Sequence, residues 1–86
     1  MKLDFADEAW TDYAWTVAND RPSARKINRL LDDITANGEA EGIGKPEPLR
    51  HNLSGWWSRR ITQEHRLVYR VADGVIHILS CRHHYE

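Results

Sequence analysis

A glutamate held between two prolines, a group of arginines and a histidine pair near the chain's end have the residue types of a phosphodiester-cleaving site. The stretch KPEPLRHNLSGWWSRRITQEHRLVY, residues 45–69, and the final CRHHYE contain most of them. Cleaving RNA without a metal needs a base to take the 2′-hydroxyl proton and an acid to protonate the departing 5′-oxygen. It also needs cations to hold the phosphate and the extra charge of the transition state. Positioned acid–base groups contribute roughly 10²–10⁴-fold. Glu47, the arginines and the C-terminal histidines match those roles by type.

Pro46 and Pro48 restrict the backbone around Glu47 and favour an extended path. The carboxylate is either a base held at a sheet edge or a solvated loop acid. Arg59, Arg60, Arg66 and Arg70 fall on two neighbouring strand-like runs. A period of two groups Arg60 with Trp56, Ser58 and Thr62, and Arg59 with Trp57 and Ile61. It also sets Arg66, Val68 and Arg70 on one face and Leu67, Tyr69 and Val71 on the apolar one. Guanidinium groups suit phosphate through bidentate hydrogen bonds, but strand arginines also serve as a plain solvated face. His83, His84 and Tyr85 supply a candidate general acid or a solvated tail. The His77, Cys81, His83 and His84 spacing matches no standard zinc pattern. His51 and His65 suit either phosphate binding or turn capping. Of Trp56 and Trp57, one ring faces outward on a regular strand, open to stacking on a base or to packing on a partner.

The elements that must position these groups are legible in outline. Residues 2–6 alternate as a short strand. Ala9, Trp10, Tyr13, Ala14 and Val17 form one helical stripe, with Asp7 as its cap. Pro22 opens a second helix, lined by Ala24, Ile27, Leu30, Leu31 and Ile34 and ended by Asn37-Gly38. Residues 38–46 form a glycine-rich loop that lacks the pattern of a phosphate-cradling P-loop. Strands follow at 48–52, 56–62, 66–72 and 75–82, the last two joined by the hairpin signal Asp73-Gly74. The fold class is α+β: a short strand, two helices, then an antiparallel meander with both helices on one sheet face.

The chain has 86 residues, which suits a single domain over 1–86 with a small core. Four Trp, three Tyr and one Phe are expected to fill much of it, Trp10 and Tyr13 included. One cysteine excludes an intrachain disulfide and suits a reducing cytosol. The N-terminus reads as neither a signal peptide nor a membrane span. The net charge of −1 argues against a strong generic nucleic-acid binder. It conceals an asymmetry: residues 1–43 carry nine acids and five bases, residues 44–86 four acids and seven bases. The basic half points to a localised anion site.

KPEPLRHNLSGWWSRRITQEHRLVYRV followed by CRHHY closely resembles the YoeB toxins, the Txe/YoeB group of the RelE superfamily. KL…DEAWTDY and ARKINRLLDDI extend the likeness over essentially the whole chain. The resemblance implies a RelE-like fold and a ribosome-dependent mRNA endonuclease that cuts the A-site codon and stops translation. It implies a YefM-type antitoxin partner, a homodimer and no cofactor. By matching position Glu47 would be the general base, His84 the general acid and Arg66 the stabiliser of the transition-state phosphate. Lys45, Arg50 and Arg60 would contact phosphate or RNA, and Tyr85 would orient the substrate. The products would be a 2′,3′-cyclic phosphate (or its opened 3′-phosphate) and a 5′-hydroxyl. Three positions depart from the family's pattern. Arg50 stands in place of a lysine, Trp56 in place of a phenylalanine, and Glu86 follows the usual terminal His-Tyr, where its charge would favour protonated His84.

Two other readings compete with this one. One is a catalytically silent relative that still binds an antitoxin or the ribosome; the joint presence of Glu47, Arg66 and His84 speaks against it. The other is a gyrase-poisoning relative, which would not need that set. A register conflict also stands. With a two-residue turn at Asp73-Gly74, Arg66 lies opposite Cys81 and shares its face with His83, not His84. Either the last residues leave the sheet, a bulge shifts the pairing, or His83 is the residue that reaches the site.

Overall fold

The computed structural model describes residues 1–83. Strand β1 (Lys2–Phe5) leads into helix α1 (Asp7–Asn19) and helix α2 (Arg21–Asn37). Strands β2 (Glu47–Pro48), β3 (Trp57–Arg60), β4 (Arg66–Ala72) and β5 (Val75–Ser80) follow, with a single 3-10 turn at His51–Leu53. The sheet order is β1-β5-β4-β3-β2. The expected antiparallel meander is present, but the sheet as a whole is mixed, because β1 adds parallel to β5. Alternation in residues 2–6 identified the strand and could not identify its partner, which lies about seventy residues on, at Val75 to Ile78.

Both helices cover one sheet face. Ala9 from α1 and Ile27, Leu30, Leu31 and Ile34 from α2 meet Leu67, Tyr69, Ile76 and Ile78 in one buried cluster. Helix α2 is a sharply two-sided helix of the kind that apolar residues at i, i+3, i+4 and i+7 produce. Asp20 caps it by accepting from the Ser23 amide at 3.3 Å and the Ser23 hydroxyl at 2.7 Å. Those bonds hold the Asp20 carboxyl below its ordinary pKa. Helix α1 departs from expectation at its start: Asp7 is its first residue, and Ala6 precedes it without a side-chain cap.

The aromatic core is also smaller than expected. Trp10 is 56% exposed and Trp15 43%, and Trp56 and Trp57 are half-buried. Trp10 instead joins Phe5 and Tyr13 in an edge cluster with centroids 5.4–5.9 Å apart. Thr16, not Val17, takes the buried place on the second half of α1. Cys81 is the expected small buried residue, 2% exposed, and burial pushes its thiol pKa up to about 12.

The Asp73-Gly74 turn forms as read, with positive φ at both residues (53° and 74°) as a tight two-residue hairpin requires. The expected strand 48–52 shrinks to Glu47–Pro48, because the chain then turns through His51, whose φ of 58° leaves extended geometry. Strand β5 ends at Ser80 rather than at residue 82.

Candidate active site

Directly paired residues on neighbouring strands point to the same side of a sheet. The register therefore sorts the helix-free face into rows. Glu47 pairs with Ser58, and Ser58 with Val68. On one side of that row Arg60 pairs directly with Arg66. On the other side Arg70 pairs with His77, and His77 with Asp4. The Arg70 guanidinium lies 5.3 Å from the Trp56 ring, so Trp56 belongs to this row. Glu47 thus occupies a short edge strand with a cationic row to each side. Like charges directly opposite each other destabilise a sheet. The Arg60–Arg66 pair is therefore a local cost that a bound anion would relieve.

Among the described residues neither Arg60 nor Arg66 has a carboxylate partner. Arg66 donates from Nη1 to the Thr62 carbonyl at 3.3 Å, which holds its stem beside the 61–65 turn. Its backbone amide donates to the His83 carbonyl at 3.1 Å. Lys45, Glu47, Arg50 and Arg60 are exposed, and Arg66 is half-buried. Lys45 adopts a φ of 53° just before the prolines.

Arg59 does not belong with the other cations. It is wholly buried on the helix side. Its Nε donates to the Tyr69 hydroxyl at 2.8 Å, Nη1 to Asp33 and to the Ile43 carbonyl, and Nη2 to the carbonyls of Gly38 and Glu41 at 2.8 and 2.7 Å. The Tyr69 hydroxyl passes the network on to the Glu39 carbonyl at 2.6 Å, and the Glu39 carboxylate accepts from the Val71 amide at 3.0 Å. The ion pair with Arg59 holds the Asp33 carboxyl below the usual carboxylate range. This clamp fixes residues 38–43, and the Gly44 carbonyl then accepts from the Arg60 amide at 2.7 Å. The glycine-rich stretch thus delivers Lys45 and Glu47 to the edge of β3. A Cβ at Gly42 would sit 1.7 Å from Asp33 Oδ2 at a φ of +123°. Only glycine lets the backbone approach the clamp that closely.

Two of the three routes offered for the register conflict are present in the structure, a bulge and an early end to β5. A bulge lies between the pairs Tyr69↔Ile78 and Val68↔Ser80, so Leu79 is the extra residue. Past Ser80 the chain bends toward α1 while the Arg66 amide still holds the His83 carbonyl. Cys81 Sγ is 3.5 Å from the Ala9 carbonyl, and the Arg82 guanidinium lies 3.6 Å from the Trp15 ring centroid. His83 lines a surface hollow of about 290 Å³ with Asp7, Glu8, Thr11, Asp12 and Ser80, its ring 5.7 Å from that of His65. His83 thereby lies beside α1 and His65. The calls on His84 and Tyr85 lie outside the described residues. No cluster of three or more His, Cys, Asp or Glu fit to hold a metal occurs among the described residues. No helix among them is long and apolar enough to cross a membrane.

This strand–helix–helix–sheet arrangement is the architecture of the RelE-like toxins. The fold recurs, at 14% identity and a TM-score of 0.76, in YafQ from E. coli. The family model for the YoeB-like toxin of bacterial type II toxin–antitoxin systems matches residues 5–85, and the chain belongs to that family. Among curated relatives, toxin YoeB of Escherichia coli K12 is 54% identical over 99% of this chain and 100% of its own length. Toxin YoeB of Synechocystis is 52% identical over 100% and 99%. Among solved structures, a YoeB–YefM complex from Staphylococcus aureus contains a chain with a TM-score of 0.94 and 49% identity, covering 99% of this chain and 98% of that one. A YoeB dimer from the same organism gives 0.94 and 50% at the same coverage. The protein is thus a toxin of a type II toxin–antitoxin system.

Proposed function

We propose that this toxin is an endoribonuclease that enters the ribosomal A site, cuts the mRNA codon there and so halts translation. The observation that carries the reading is the register of the helix-free sheet face, which sets exposed Glu47, at the end of the buried Ser58–Val68 row, beside the directly paired Arg60 and Arg66. Glu47 takes the proton from the 2′-hydroxyl next to the scissile phosphate. The resulting alkoxide attacks phosphorus, the bond to the 5′-oxygen breaks, and His84 protonates that leaving oxygen. Arg66 stabilises the pentacoordinate phosphate, where a planar guanidinium fork matches two oxygens at once. Lys45, Arg50 and Arg60 hold phosphate or RNA, and Tyr85 orients the substrate. The products are a 2′,3′-cyclic phosphate (or its opened 3′-phosphate) and a 5′-hydroxyl, with no metal in the reaction.

Further support comes from the Arg66 amide, which anchors the chain at His83, the residue before the proposed acid. The small net charge fits a requirement for the ribosome, since bulk RNA meets an acidic half as often as a basic one. The solved relatives, described as a YoeB–YefM complex and a YoeB dimer, support a YefM-type antitoxin and a homodimer as partners. A cytoplasmic site of action follows from a ribosomal target. Primer extension on an mRNA in a reconstituted translation system, with and without ribosomes, tests the reading. Cuts confined to A-site codons, ribosome-dependent and bearing 5′-hydroxyl ends, are expected. Folded protein that makes no cuts, or that cuts naked RNA equally well at physiological salt, would sink it.

A further inference from the structure

The proposed chemistry uses two of the three rows on the open sheet face. The third row, Trp56–Arg70–His77–Asp4, is left without a role. Arg70 is exposed and Trp56 half-buried, so both present surface on the side where Glu47, Arg60 and Arg66 stand. Arg70 has no carboxylate partner among the described residues. The acid at the end of its row, Asp4, is taken by His77 Nδ1 at 2.9 Å. Along β4 Arg70 and Arg66 are four residues apart, about 13 Å in a strand. The two guanidiniums are also held apart, Arg66 on the Thr62 carbonyl and Arg70 over the Trp56 ring, so they do not share one phosphate. A planar cation 5.3 Å from an indole centroid is also a stacking platform with a charge attached. This pairing binds single-stranded nucleic acid without reading its sequence.

We propose that Trp56 and Arg70 form a second RNA subsite, which takes the nucleotide neighbouring the one cleaved, with its base stacked on the Trp56–Arg70 pair and its phosphate on Arg70. The proposal rests on the endonuclease reading for its choice of RNA as occupant. Two observations select that occupant: the charge of the face, and the subsite's continuity with the Glu47 row through Ser58, which lies between Trp56 and Arg60 along the chain. A strand laid across the three rows has Arg60 and Arg66 at one phosphate, Glu47 between, and Arg70 at another. Trp56 then holds the substrate in register instead of filling the core, which explains a large ring left partly open on a sheet face.

The test is binding of a fluorescein-labelled, uniformly 2′-methoxy single-stranded RNA, followed by anisotropy at several salt concentrations starting low. Such RNA cannot be cleaved by attack of its 2′-oxygen, so binding is read apart from catalysis. Arg70→Gln is expected to weaken binding about fivefold or more and to reduce the log–log salt slope by about 0.7, one single-strand phosphate contact. Arg70→Lys restores the slope. Trp56→Leu weakens binding and leaves the slope unchanged. Arg25→Gln, an exposed change on α2, has no effect. Wild-type affinity and slope in both the Arg70→Gln and Trp56→Leu proteins, or no binding by the wild type, overturns the subsite. Cleavage on ribosomes is scored separately. Cuts by the wild type with variant-insensitive binding leave the endonuclease and remove the subsite. Variant-sensitive binding without cuts does the reverse.

Discussion

At the scale of single residues, two arginines adjacent in sequence have opposite fates. Arg59 faces the helices, is wholly buried, and spends every donor on protein acceptors. Arg60 faces outward beside Arg66. Period two separates them in the sequence, but residue type predicts solvent for both, because strand arginines usually remain wet. The acceptors that make burial tolerable for Arg59 lie far off in sequence, on α2 and in the glycine-rich loop. In the proposed reaction Arg66 has the most exacting role. Arg66→Ala is expected to lower the single-turnover cleavage rate about 10²–10³-fold, the loss typical of removing one transition-state donor. Arg66→Lys is expected to fall between the two, since it keeps the charge and loses the fork. A lysine variant as fast as the wild type would show that Arg66 acts only as a distant charge.

At the scale of elements, the 38–44 segment behaves as a structural part of the site. The sequence identifies it only as a loop, since glycine content signals conformational freedom and says nothing of what is clamped. Its order comes from Arg59, Asp33 and Tyr69 together. Removing one partner of a buried charged network costs about 3–5 kcal/mol, because the rest is left uncompensated. Arg59→Met is therefore expected to lower unfolding free energy by about that amount in urea denaturation. It should also speed hydrogen exchange in residues 38–44 more than in α1. Uniform exchange changes across the chain would mean that the clamp is not local. The Asp73-Gly74 hairpin and the α2 stripe were readable because each is set by neighbours in sequence. The bulge at Leu79 was not readable. A one-residue slip leaves no mark on the pattern of β5, and only the unresolved face of Arg66 against Cys81 hinted at it. The stripe of helix α1 was misread only in part: Ala9 and Tyr13 face the core as expected, but two faces of the helix carry aromatics, and packing chose Thr16 over Val17 for the interior.

At the scale of the whole molecule, charge governs both stability and recognition. Asp33 has a folded-state pKa below its ordinary value because Arg59 favours the carboxylate. Its contribution is present above the ordinary carboxylate pKa, about 3.9, and is lost as pH falls below it. Cys81 has the opposite sign. Its thiol is raised from 9.0 to about 12, so its contribution is intact below pH 9.0 and declines as pH rises from there toward 12. Unfolding free energy measured against pH should therefore fall at both ends. Asp33→Asn should flatten only the acid limb and Cys81→Ala only the alkaline one. An alkaline limb unchanged by Cys81→Ala would contradict the burial assigned to that thiol. The acidic excess of the first half, visible in composition alone, lies in α1, at Asp20 and at Glu39 and Glu41, while α2 is itself basic and the cationic rows of the second half stand on the opposite sheet face.

The central claim is that Glu47 is the base of an RNA-cleaving site on that open face. Single-turnover cleavage of an A-site codon on programmed ribosomes, comparing wild type, Glu47→Gln and Arg25→Gln, tests it most directly. The account predicts a fall of about 10²–10⁴-fold for Glu47→Gln, with an unchanged melting temperature and with Arg25→Gln at the wild-type rate. Glu47→Gln protein that cuts as fast as the wild type would contradict it.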